Sequence, residues 1–264
     1  MAKHSVNGID IHYQIDGDVS DRPIMFSNSL ASNLNMWDLQ IEHLLAQGFG
    51  IIRYDSRGHG QSEAPKGPYS IEMLADDAAG LLTTLGIQHV HFCGLSKGGM
   101  VAQMMGVRHP DRVKSLIIAD SAAFMPAKDT WEQRIQAVTA GGMEAVVDAT
   151  LERWITSEGR DRLPDQVELI RRMILNTPVQ GFVACSEAIK SMDMRPGNPK
   201  ITAPTLVICG KQDTGTTPQQ AEEIAEAVPN AELELIDNAA HLANIEQHEV
   251  FNSLLSKFLA KVGG

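Results

Sequence analysis

His91-Phe92-Cys93-Gly94-Leu95-Ser96-Lys97-Gly98-Gly99-Met100 is the stretch on which the fold turns. Together with Val90 before it, its opening residues to Cys93 form a short β-rich apolar run, and a helical pattern begins near Lys97 and continues to residue 108. A strand that bends this abruptly into a helix strains the middle residue and pushes its side chain out above the sheet. Gly94 and Gly98 lack the side chains that would collide across so tight a turn. The helix also aims its positive end at the point where an oxyanion would form. The pattern therefore marks Ser96 as a nucleophile awaiting a base, because a serine hydroxyl attacks poorly until its proton is taken.

Outward from this turn, short apolar runs alternate with amphipathic stretches. Ile24-Met25-Phe26, Gly50-Ile51-Ile52-Arg53-Tyr54 and Leu116-Ile117-Ile118-Ala119 read as buried strands, with helical patterns around 36–47 and 70–85. Ser70 is suited to cap the second of these helices, with Glu72 and Asp76 in its early turns. The opening stretch, Gly8 to Ile15, alternates as a half-buried antiparallel edge strand would. From 122 to 195 no strand run stands out, and helices are expected near 131–140, 143–156, 165–176 and 179–191. Alternation then resumes with strands at 205–209 and 233–236 and helices at 218–228 and 246–261. The predicted class is α/β, a mostly parallel sheet flanked by helices. Residues 1–121 and 196–264 would form the core, and 122–195 an all-helical cap inserted into it.

The bulk properties exclude several roles. With 43% apolar and 21% charged residues in 264, the chain can bury a large core and is not a disordered protein. A net charge of −11 argues against a nucleic-acid partner and weakly against anionic membrane surfaces. No apolar leader opens the chain, and no stretch approaches the ~18 apolar residues of a membrane span. Three widely spaced cysteines, Cys93, Cys185 and Cys209, two of them inside apolar runs, look like reduced core thiols. A cytoplasmic protein is expected. A small anionic substrate stays possible, since one local cation holds a carboxylate whatever the global charge.

Nine histidines compete for the role of base. His241 lies in Asp237-Asn238-Ala239-Ala240-His241-Leu242, after the last predicted strand, on the sheet edge that carries the nucleophile turn. His89, His91 and His109 sit in or beside regular elements and read as core-edge or capping residues. His59, in Asp55-Ser56-Arg57-Gly58-His59-Gly60-Gln61-Ser62, belongs to a loop whose charges are expected to pair locally. For the acid that orients the base, Asp213 follows the strand ending at Cys209, and Asp120, after the strand ending at Ala119, is its competitor. The order Ser96, Asp213, His241 favours Asp213. Two backbone N–H groups must meet the oxyanion. Lys97 supplies one, and Leu30, counted back from Trp37 in the loop after Phe26, supplies the other.

These motifs resemble 3-oxoadipate enol-lactonase, a family of the α/β-hydrolase superfamily. The resemblance rests on Phe26-Ser27-Asn28-Ser29-Leu30 with Asn35-Met36-Trp37, on Arg53 to Gly60, on His91 to Met100 and on Ala240 to Glu246. It extends into the cap at Trp131-Glu132-Gln133-Arg134 and Glu152-Arg153-Trp154. Most α/β-hydrolases carry His-Gly where this chain has Asn28-Ser29, which narrows the match. The resemblance implies cofactor-free and metal-free hydrolysis of a five-membered enol-lactone bearing a carboxylate, in the β-ketoadipate pathway of aromatic catabolism. Lys97 stands where that family usually has methionine and Ala31 where it usually has glycine. The Lys97 side chain either reaches solvent or a nearby acid, or helps attract an anionic substrate.

A carboxylate held beneath a cap needs a charge-matched donor. Arg134 follows Trp131 by three residues, so one helical face presents an indole N–H and a guanidinium together. Trp131 and Arg134 are the expected substrate clamp, with Trp154 as a wall. Three rivals share the same triad: a general carboxylesterase or perhydrolase, a carbon–carbon bond hydrolase, and a ligand receptor that turns over poorly. Dehalogenases and epoxide hydrolases use aspartate where this chain has Ser96.

Overall fold

The computed structural model describes residues 2–263. They form an eight-stranded sheet of order β1-β2-β4-β3-β5-β6-β7-β8. The strands are β1 (Ala2–Val6), β2 (Ile9–Asp16), β3 (Pro23–Ser27), β4 (Gly50–Tyr54), β5 (Val90–Leu95), β6 (Val113–Ala119), β7 (Thr205–Gly210) and β8 (Glu232–Ile236). From β4 to β8 across the sheet every pairing is parallel. Every residue of β3, β4, β5 and β7 is buried, as continuous apolar strands covered on both faces should be.

The first strand differs from expectation. Ile9–Asp16 is not an edge strand, because Ala2–Val6 pairs outside it in an antiparallel hairpin while β2 pairs antiparallel with β4. The hairpin turn is Asn7-Gly8, with φ of 47° and 77°. Two consecutive left-handed residues are what a two-residue turn between twisted strands requires, and Asn-Gly supplies them at low cost. That dipeptide was the available signal for the extra strand.

Helices α1 (Asp38–Leu45), α2 (Ile71–Thr84) and α3 (Lys97–Arg108) follow β3, β4 and β5. The Ser70 side chain accepts the Met73 N–H at 3.2 Å and caps α2. Between β6 and β7 lie α4 (Lys128–Gly141), α5 (Val147–Trp154), α6 (Ser157–Arg162), α7 (Pro164–Leu175) and α8 (Val179–Ser191). The short α6 was not expected. It is started by Thr156, whose hydroxyl accepts the Gly159 N–H at 3.0 Å. Where this helical stretch leaves and re-enters the sheet region, Phe124 and Asp193 form a β-bridge, and the Met194 N–H donates to Ala123 O at 2.7 Å. Helices α9 (Pro218–Ala227), α10 (Ala243–Glu246) and α11 (His248–Val262) complete the chain. Among the described residues no helix is long and apolar enough to cross a membrane.

Candidate active site

Ser96 sits between the end of β5 and the start of α3 with φ 58° and ψ −116°, a left-handed conformation that a residue with a side chain adopts only under constraint. The constraint is visible. The Ser96 N–H donates to Ala119 O at 2.9 Å, and the Ser121 hydroxyl donates to Ser96 O at 2.9 Å. The two flanking glycines are sterically required: a Cβ on Gly94 would lie 1.9 Å from Gly98 O, and one on Gly98 would lie 2.0 Å from Ser27 O. Both obstacles are backbone and cannot step aside. Gly94→Ala is expected to lower the thermal midpoint by about 10 °C or more, since relieving such an overlap costs several kcal/mol. An unchanged melting curve would overturn this account of the turn.

His241 lies in the loop between β8 and α10. Its Nδ1 is 2.8 Å from Asp213 Oδ2. Asp213 is itself held in place, with Oδ1 accepting the Gly215 N–H at 2.7 Å and Oδ2 accepting the Thr216 hydroxyl at 2.7 Å. Burial pushes the Asp213 carboxyl up, but the imidazole beside it and the Thr216 donors outweigh burial and hold it below the ordinary value. Asp213 therefore faces His241 as a carboxylate. Ser96 and His241 line one cavity of about 400 Å³. Among the described residues no hydrogen bond joins the two, an arrangement common before substrate tightens a site.

Asp120 has a different task. It is fully buried at the end of β6, its Oδ1 accepts the Gly210 N–H at 2.8 Å, and its Oδ2 has no hydrogen-bond partner among the described residues. Burial, and then the charge of Asp213, push its carboxyl well above the usual range, which favours its protonated form. With Cys209 and Asp213 it forms a buried cluster whose ligand-type atoms lie within 4.8 Å of one another. A carboxyl pushed toward its protonated form, a buried thiol and a carboxylate already bound to an imidazole make a poor cation site. Because Asp120 is raised in the folded state, folding takes up a proton. The stability linked to it is complete below the unfolded value of about 3.9 and is lost as pH rises toward the folded one. Asp120→Asn is neutral at every pH, so its melting temperature should gain on the wild type as pH rises from 4 to 8. A constant difference over that range would count against a protonated Asp120.

The loop after β3 brings Ser29 and Leu30 to the cavity. Among the described residues the backbone N–H groups of Leu30 and Lys97 donate to no other protein group. The next amide, Ala31, donates to His59 Nε2 at 3.0 Å, with Ala31 in the left-handed region at φ 59°. That conformation explains why glycine would be at home at this position. Burial, and then the charge of Lys97, hold the His59 imidazole well below its ordinary value, so it is neutral. Its Nε2 accepts while Nδ1 donates to Arg57 O at 3.2 Å. His59 thus pins the loop that carries Leu30, a role sequence reasoning missed because the two segments meet only in space. Asn28 is likewise structural, donating to Tyr54 O at 2.7 Å and accepting the Trp37 indole N–H at 3.0 Å.

Two expectations are corrected. The loop at 55–62 does not pair its charges locally. Arg57 forms a two-pronged bond to Asp77 of α2 at 2.7 and 2.8 Å, and Asp55 binds His12 of β2 at 2.7 Å. The Lys97 side chain reaches neither solvent nor an acid, and it does not line the cavity. It is 1% exposed and its Nζ donates to the Ser56 hydroxyl. His91 and His109 are structural as expected, bonded to Ser115 at 2.8 Å and Asp76 at 2.8 Å.

Trp131, Arg134 and Trp154 all line the cavity. The Arg134 guanidinium lies 4.5 Å from the centre of the Trp131 ring, and its Nε is buried without a hydrogen-bond partner among the described residues. The Trp154 ring is 6.0 Å from that of His241, and Trp154 O accepts the Leu242 N–H at 3.0 Å. Glu246 strengthens the junction, accepting the Ala240 N–H at 2.9 Å and bonding to the Thr156 hydroxyl. Arg153 also lines the cavity and was not singled out in the sequence. Its position next to Trp154 was the only clue.

Residues 22–247 match the family model described as the alpha/beta hydrolase fold. The chain is 36% identical to 3-oxoadipate enol-lactonase 2 of Acinetobacter baylyi over 88% of its length and 87% of that protein's. It is 33% identical to 3-oxoadipate enol-lactonase 1 of the same organism over 97% of its length and 95% of that protein's. Among solved structures, the enol-lactonase from Burkholderia xenovorans LB400 is 39% identical, with a TM-score of 0.95 and coverage of 98% of this chain and 100% of that one. The parallel sheet, the strained turn after β5 and these matches agree: the chain belongs to the α/β-hydrolase family and is a carboxylic ester hydrolase.

Proposed function

We propose that this protein opens 3-oxoadipate enol-lactone to 3-oxoadipate through an acyl-enzyme on Ser96. The observation that carries the reading is the Arg134 guanidinium. It sits in the wall of the cavity that holds Ser96 and His241, and among the described residues no carboxylate neutralises it. Burying a cation costs free energy unless an anion meets it, so the cavity suits a substrate that brings a carboxylate of its own. The similarity to enzymes named as 3-oxoadipate enol-lactonases supports the same choice.

In this mechanism His241 takes the Ser96 proton as the oxygen adds to the lactone carbonyl, and Asp213 stabilises the imidazolium. The free amides of Leu30 and Lys97 hold the oxyanion. Collapse breaks the ring C–O bond and expels an enolate, which His241 protonates before the enol becomes a ketone. Water, deprotonated by the same imidazole, then attacks the acyl-enzyme and releases the acid and Ser96 Oγ. Trp131 and Arg134 clamp the substrate carboxylate, Trp154 walls the site, and residues 122–195 act as a cap on the core formed by 1–121 and 196–264. No step calls for a metal or cofactor. The three thiols are free and buried, which suits a reducing cytoplasm.

The test is the loss of enol-lactone absorbance with purified protein, run beside a panel of neutral aryl esters and a dienoate ketone. Preference for a neutral ester identifies a general esterase, and preference for the ketone a carbon–carbon bond hydrolase. Binding with negligible turnover identifies a receptor.

A further inference from the structure

Arg153 adds a second guanidinium to the wall that carries Arg134, and nothing in the triad or the clamp uses it. Among the described residues its Nη2 donates to the Thr150 hydroxyl alone, at 3.1 Å. Among the described residues neither arginine has a carboxylate within ion-pair distance, although the chain as a whole carries −11. The two cations feel each other: burial first, then the charge of Arg153, draw Arg134 down to about 10, and burial lowers Arg153 as well. The wall that carries them thus presents two guanidinium groups to an anion. The same cavity is lined by Leu30 and Ser96, and there the Leu30 and Lys97 amides, which among the described residues donate to no other protein group, and the N-terminus of the 12-residue α3 also suit negative charge.

We infer that the cavity is a receptor for open-chain dicarboxylates, with one carboxylate held between Arg134 and Arg153 and the other at the Leu30 and Lys97 amides. This rests on the proposed reaction only in naming what such a ligand is. A lactone bearing one carboxylate reacts with one water to give a dianion and a proton, so the product carries a new carboxylate beside Ser96 while keeping the old one at the arginines. Product therefore meets both sets of donors where substrate meets one. Its departure competes with the next turnover.

Unreactive dicarboxylates make the test independent of the substrate. The wild-type protein is titrated calorimetrically with succinate, glutarate, adipate and pimelate, and with hexanoate as a single-ended control. At least one dicarboxylate should bind about tenfold tighter than hexanoate, with a maximum at one chain length, and Arg153→Gln should erase most of that preference. Hexanoate binding as tightly as every dicarboxylate overturns the inference. So does a preference that survives in both Arg153→Gln and Arg134→Gln. If Arg153→Gln does not fold, the wild-type series alone decides. Dicarboxylate binding without enol-lactone turnover would sink the proposed substrate and leave this site standing, whereas turnover without dicarboxylate preference would do the reverse.

Discussion

Ser96→Ala is expected to lose enol-lactone turnover by a factor on the order of 10⁴ to 10⁶ while still folding, because in the proposed mechanism the whole acyl-transfer route begins at that oxygen. At about 1.36 kcal/mol per decade this is more than 5 kcal/mol of transition-state stabilisation, larger than any binding contact in the cavity supplies. The residual rate reflects what the Leu30 and Lys97 amides do for water attacking without a covalent step. The backbone argument says the variant survives: alanine removes only a hydroxyl, and the bonds from the Ser96 amide to Ala119 O and from Ser121 to Ser96 O do not involve it. Stopped turnover with an unchanged melting temperature, measured on the same preparation, is the expected pair of results. A Ser96→Ala protein that retains a tenth of the wild-type rate would mean that Ser96 is not the nucleophile.

Arg134→Ala should separate substrates by charge. Two charge-assisted hydrogen bonds in a desolvated pocket are worth roughly 1.5–3 kcal/mol each, so kcat/KM for the carboxylate-bearing lactone should fall by about 10² or more. A neutral aryl acetate never used those bonds and should lose at most a few-fold. The loss should enter mainly through KM, since the carboxylate is held equally in ground and transition states. Stability should hold or rise, because the side chain removed is a half-buried cation whose Nε, among the described residues, has no hydrogen-bond partner. Equal losses on the anionic and neutral substrates would remove the clamp from the mechanism.

The parts of the site that could be read in the sequence were those with local causes. Gly94 and Gly98 flank Ser96 at a spacing that only a strand–turn–helix can use, and a Cβ on either meets backbone within 2.0 Å. Ser70 and the helices from 71 to 191 follow from capping and 3.6-residue periodicity, with α6 escaping because six residues are too few to show a period. Asp213 and Asp120 could not be separated with certainty by position, since both follow strands on the same sheet edge. In space the Asp213 carboxylate bonds His241, while Asp120 is fully buried and its carboxyl is pushed toward the protonated form.

What the order of residues determined by itself was the α/β alternation and the strained turn at Ser96, because each depends on neighbours a few positions away. Tertiary structure alone decided which groups are charged and where they point. Lys97 turns inward to Ser56, His59 stays neutral to hold the Ala31 amide, and Arg153 joins Arg134 in one cavity. Burial and Coulomb interaction depend on distance through space, and residues tens of positions apart have no spacing from which that distance can be read.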